Sequence, residues 1–91
     1  MAIIRQFVPG SRSIRVHSPA RAVDCLVQVV ADESGLRYLD LATLGSDLRM
    51  SSPKVSQTIQ LDEERAIELV AHISRAFGLD VTTLMERAAG S

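Results

Sequence analysis

Residues 22–31 carry the clearest alternation in the chain. Val23, Cys25, Val27, Val29 and Ala31 recur at every second position, with Asp24, Leu26, Gln28 and Val30 between them. A period of two places the first set on one face of a pleated strand. Asp32-Glu33-Ser34-Gly35 supplies turn residues. Leu36 to Leu44 alternates again, Leu39 and Leu41 on one face, Tyr38, Asp40 and Ala42 on the other. Two such runs joined by a short turn predict a hairpin. Val55 to Leu61 reads as the last strand, with Val55, Ile59 and Leu61 inward and Ser56, Thr58 and Gln60 outward. Gln57 falls on the inward side. A buried amide needs partners, so Gln57 would tie down a loop or touch a ligand.

After Asp62 the period changes to that of a helix. Ala66, Leu69, Val70, Ile73 and Phe77 share one face of residues 63–77, and Glu64, Glu68, His72 and Arg75 belong to a solvated face opposite. Asp62 is a suitable N-cap, and Glu63 and Glu64 sit where the helix dipole favours negative charge. The third helical position is Arg65, so there is no capping box. Gly78 suits the residue just past the helix end. Asp80 then opens a shorter helix, Val81 to Ala89, whose apolar face needs the sheet or a neighbouring subunit to cover it. Upstream, Ile3, Ile4, Phe7 and Val8 precede Pro9-Gly10, which makes residues 1–10 an edge strand or arm. Ser11 to Ser18 alternates Ile14 and Val16 with Ser13, Arg15 and His17, the pattern of a half-buried strand with a basic outer face. The expected architecture is a single α+β domain over residues 1–91. An antiparallel sheet of about four strands is followed by one amphipathic helix, then a short C-terminal helix and tail over residues 80–91.

Composition narrows the chemistry. Aromatics are 3% of the chain and Trp is absent, against 46% hydrophobic residues, so the core must be aliphatic. Cys25 is the sole cysteine; it can form no internal disulfide, and within its apolar run it is expected to be a small buried hydrophobe. No apolar stretch approaches the roughly 20 residues a bilayer needs. The first residues lack the charged-then-apolar order of a signal peptide. A cytoplasmic protein with no membrane partner is therefore expected. The net charge of −1 hides a division: residues 1–23 carry four arginines and no acid, and the rest carries six basic and eleven acidic groups. A basic arm faces an acidic body, and the arm either folds over the acidic helix or meets an anion.

Phosphate-loop, dinucleotide, zinc-protease and serine-hydrolase motifs are all missing from the sequence. Asp62-Glu63-Glu64 is explained by the helix start. No nucleophile, base and orienting group can be assembled, so no catalytic residue, cofactor or metal ligand is expected. The concentrated polar stretch is Gly45 to Gln57, where a bend, cations, serines and an amide could meet a phosphate. Asp47 opposes an anion there unless it pairs with Arg49. The candidate anion or nucleic-acid site is Arg12, Arg15, Arg21, Ser46, Arg49, Lys54, Ser56 and Gln57, with Tyr38 available to stack on a base.

Gly45, Ser46, Arg49, Lys54, Ser56, Gln57, Ile59, Gln60, Leu61 and Asp62, with Phe77 at the helix end, resemble a Gly-Ser-x-x-Arg…Lys-x-Ser-Gln-x-Ile-Gln-Leu-Asp pattern. That pattern belongs to a group of short bacterial proteins of uncharacterised function. The resemblance spans about residues 22–78 and implies no activity; the group often has Tyr before Gly-Ser, where this chain has Leu44. The layout of four strands and a helix starting right after the last one also resembles the PC4-type fold. That resemblance implies a dimer with single-stranded nucleic acid on its curved sheets. The chain departs from it in having few aromatics and no basic excess. Two expectations follow. The first is a small non-enzymatic protein-interaction or accessory module, forming a homodimer. The alternative is a module that binds single-stranded DNA or RNA.

Overall fold

The computed structural model describes residues 1–45 and 54–90 of the chain. The turn predicted at residues 32–35 organises the hairpin. Asp32 Oδ1 accepts from the Ser34 N–H at 2.9 Å, the Ser34 hydroxyl at 2.6 Å and the Leu36 N–H at 3.0 Å. Gly35 takes a positive φ of 88°, a conformation that costs a residue with a Cβ. The turn joins strands β2 (Cys25–Ala31) and β3 (Arg37–Leu44), which pair antiparallel from Cys25↔Thr43 to Ala31↔Arg37. β4 (Val55–Leu61) pairs antiparallel with the other side of β3. β1 (Ala2–Ile3) lies beyond β4 and runs parallel to it, with Ile4 N–H donating to Gln60 O at 3.0 Å. The order is β1-β4-β3-β2. The sheet is therefore mixed rather than wholly antiparallel: the chain reaches β1 and β2 on opposite edges, so the two outer strands have different partners.

Helix α1 (Glu63–Phe77) begins one residue after β4. Asp62 caps it by accepting from the Arg65 N–H at 2.7 Å. Gly78 closes it in the left-handed region, φ 63°, and donates to Ser74 O. The Ser74 hydroxyl is also bonded to Leu79 O. Helix α2 (Val81–Ala89) repeats the N-cap with Asp80 and the Thr83 N–H at 2.7 Å. Both helices fall where the periodicity puts them. α1 touches β3 and β4, and its half-buried residues include Ala66, Leu69 and Ile73.

Several expectations fail, each for a physical reason. Residues 11–18 form no strand: Ile14 is 71% and Val16 98% exposed, because the alternation there finds no sheet edge to join. After it, Pro19–Arg21 makes a single 3-10 turn capped by Ser18. Ser56 sits between the pairs Thr43↔Gln57 and Leu44↔Val55 as the extra residue of a bulge. The bulge breaks the alternation, so Val55 leaves the face of Ile59 and Leu61. Gln57 is exposed and is not a buried amide. Cys25 and Val27, expected in the core, are exposed because β2 is an edge strand and α1 lies over the β4 side. Val70 and Phe77 likewise stay exposed on α1.

Candidate interaction surface

Among the described residues, Ala42 and Leu61 are the only hydrophobic residues that are buried, Leu61 at 2% exposure. The sheet face that includes Leu61 also carries Val27, Val29, Leu39, Leu41 and Ile59, since residues opposite each other in the ladder share a face. α1 reaches that face at its β4 side. A cleft of about 400 Å³ opens between its first turn and the hairpin, lined by Val29, Leu36, Leu39, Leu61 and Ala66. From the rim of that cleft outward the face is bare: Val29 is 64% exposed and Val27, beyond the cleft, 63%. The outer surface of the helices adds a second apolar groove, lined by Ile67, Val70, Ala71 and Val81 with Ser74 and Arg75 at its rim.

The area confirms that this is more than scatter. A folded monomer of 9.9 kDa should expose about 5,200 Å², whereas the chain exposes 8223 Å². Its radius of gyration is 15.6 Å, against about 12 Å for a compact domain of this length. Some of the excess belongs to the extended coil before β2. Yet Val27, Val29 and Ile59 lie within regular strands, where local chain disorder cannot account for their exposure.

The opposite face is differently built. Gln28, Asp40 and Gln60 stand in one row across β2, β3 and β4. Asp40 is buried at 8% exposure and accepts from Gln60 Nε2 at 2.8 Å, which satisfies one of its oxygens. Sequence pattern gave no sign of this pair, because a strand's polar face is normally left to water.

The predicted anion site is assembled only in part. Ser46 and Arg49 lie outside the described residues, as does Asp47. Lys54 is exposed at the start of β4, where its carbonyl accepts from the Gly45 N–H at 2.7 Å. Arg21 comes to the same end of the sheet, since Asp24 O accepts from the Leu44 N–H at 2.9 Å only three residues later. Arg12 and Arg15 lie in the exposed coil. Ser56 is engaged across the strands, its hydroxyl 2.9 Å from Thr43 Oγ1. Tyr38 is half-buried opposite Val30.

The arm before the coil is tied down by a residue whose role the helical pattern does not reveal. Arg65 Nη1 donates to Arg5 O at 2.8 Å, and its Nη2 meets Glu68 at 2.9 Å. Phe7 sits edge-on to His72 with ring centroids 5.4 Å apart. Residues 5–7 therefore run along α1, held by a carbonyl and a ring contact rather than by arm arginines on helix carboxylates.

Among the described residues no group of acidic, His or Cys side chains is arranged to hold a metal ion, and no helix is long and apolar enough to cross a membrane. No family model, curated protein or solved structure matches the chain.

Proposed function

We propose that the chain is a non-enzymatic protein-interaction module whose uncovered apolar sheet face and helix groove are closed by protein. The observation that carries this reading is the bare stripe at Val27, Val29 and Ile59 in an otherwise regular sheet. Exposed apolar patches of this kind mark interaction sites, because leaving them in water forgoes roughly 25 cal/mol per Å². The cytoplasm suits such a module, since its one cysteine, Cys25, is a free exposed thiol, which a reducing compartment preserves.

The alternative, a single-stranded nucleic-acid module, is supported by Arg21 and Lys54 reaching the same end of the sheet. It is weakened by Ser56 being spent on Thr43 and by Tyr38 being half-buried.

The test is dye binding and light scattering of the purified chain as its concentration rises from about 1 to 100 μM, a range that brackets ordinary protein affinities. The module reading expects either an assembled species or a monomer that binds an apolar dye strongly. A dispersed monomer that binds no dye would refute it.

A further inference from the structure

Resting on the reading of an interaction module, we infer that the occupant of the open edge is a second copy of this chain, joined through β2 about a two-fold axis at Gln28. Four observations converge on that strand.

The first is the phase of its hydrogen bonds. Leu44 N–H→Asp24 O at 2.9 Å and Asp32 N–H→Leu36 O at 2.9 Å bracket the unbroken β2–β3 ladder. Even-numbered residues of β2 therefore bond to β3. Cys25, Val27, Val29 and Ala31 turn their N–H and C=O groups to the open side. Among the described residues no strand lies beyond them.

The second is the missing protection. Natural edge strands are blunted by Lys, Pro, bulges or brevity. β2 is seven residues, Cys-Leu-Val-Gln-Val-Val-Ala, with no charge, no Pro and no register shift against β3.

The third is symmetry. The strand reads nearly the same outward from Gln28 in both directions: Val27 and Val29, Leu26 and Val30, Cys25 and Ala31. An isologous contact requires a self-complementary surface. Pairing two copies antiparallel about Gln28 sets Val27 against the partner's Val29 and Leu26 against the partner's Val30. The bare faces join into one, and the Gln28-Asp40-Gln60 row continues across the seam.

The fourth is area. The surplus over a compact monomer is about 3,000 Å², and an obligate dimer buries about 1,000–2,500 Å² per chain.

The geometry makes an asymmetric prediction for cross-linking. Gln28 faces its own copy at a non-hydrogen-bonded position, with Cα atoms about 4.5 Å apart, inside the range for a disulfide. The two Cys25 residues, six positions off the axis in total, are about 20 Å apart. The full chain carrying Cys25→Ser and Gln28→Cys should therefore oxidise mostly to a covalent dimer, while the wild-type chain under the same oxidant should not. Val29→Pro removes an outward N–H without touching the β2–β3 ladder, and should reduce the solution mass from twice 9.9 kDa to one chain with its circular dichroism unchanged.

A wild-type chain that is monomeric at about 100 μM yet binds an apolar dye overturns the second copy and leaves the interaction module standing. A wild-type dimer in which Gln28→Cys does not cross-link overturns the β2 seam. Should Val29→Pro lose its fold, the cross-linking result decides alone.

Discussion

Truncating Leu61 and Val29 to alanine, one at a time, separates the chain's own core from a surface that only an assembly would cover. Leu61 is 2% exposed in the single chain. Leu61→Ala removes three carbons, about 2.4 kcal/mol of transfer free energy, and leaves a cavity that raises the loss to about 3–4 kcal/mol. A chain of this size has only about 5–14 kcal/mol in all, so the loss should lower the melting temperature by more than 10 °C, at about 4–8 °C per kcal/mol. Val29 is 64% exposed. Val29→Ala removes two carbons, worth about 1.6 kcal/mol if fully buried but only about 0.6 kcal/mol at the burial seen in one chain. If protein covers the stripe, the cost rises toward the larger figure and varies with chain concentration, because unfolding is then coupled to dissociation. Urea melts at about 1 and 100 μM chain would read both effects. A loss below about 1 kcal/mol for Leu61→Ala would show that the core is not where β4 meets α1. A loss of about 0.6 kcal/mol or less for Val29→Ala, the same at both concentrations, would show that the stripe stays in water.

Other consequences are simpler to test. Asp62→Ala should cost about 1 kcal/mol in urea unfolding, since the carboxylate accepts the Arg65 N–H at 2.7 Å, whereas Asp62→Asn should cost a few tenths. Asp80 and Asp32 are held below the ordinary carboxylate value of 3.8, Asp80 foremost by the Thr83 N–H and Asp32 foremost by the Ser34 hydroxyl. Because both folded values are depressed, their contribution is complete above pH 3.8 and disappears as the pH falls through the lower folded value. The helical signal of wild type should therefore exceed that of Asp80→Ala near neutrality, and the two should converge in strong acid. Arg21→Ala with Lys54→Ala should leave stability within about 0.5 kcal/mol. A gel shift at about 50 mM salt, where phosphate contacts are strongest, tests the nucleic-acid alternative, and that double variant losing a shift shown by wild type would favour it.

The elements with strong local signals were legible in the sequence. The α+β class, the last strand, both helices, their aspartate caps and the Asp32–Gly35 turn depend on neighbours a few residues apart. Position within the sheet was less legible. Apolar alternation in residues 25–31 marks a strand but does not distinguish a central strand from an edge, so Cys25 and Val27 read as core. Their exposure follows from β3, not β2, lying between two partners. The bulge at Ser56 was invisible to a strict period of two, which carried Val55 to the wrong face, while Gln57 keeps the face of Ile59 and Leu61 but lies exposed. The alternation of Ile14 and Val16 had no partner strand to reward it. The candidate cations were chosen by charge alone, and charge does not say where a loop goes. Lys54 and Asp24, three residues after Arg21, are held at one end of the sheet by backbone bonds that no composition reveals. The feature on which the proposed interface rests is itself in the sequence: seven uncharged residues nearly symmetric about Gln28.

Amide hydrogen exchange along β2 tests the covered edge most directly. Leu26, Gln28 and Val30 bond to β3 within one chain and serve as the internal reference. The account predicts that Val27 and Val29, whose N–H groups have no acceptor in their own sheet, exchange as slowly as that reference and faster on dilution. Rapid exchange at Val27 and Val29 at every concentration, beside a protected Gln28, would contradict it.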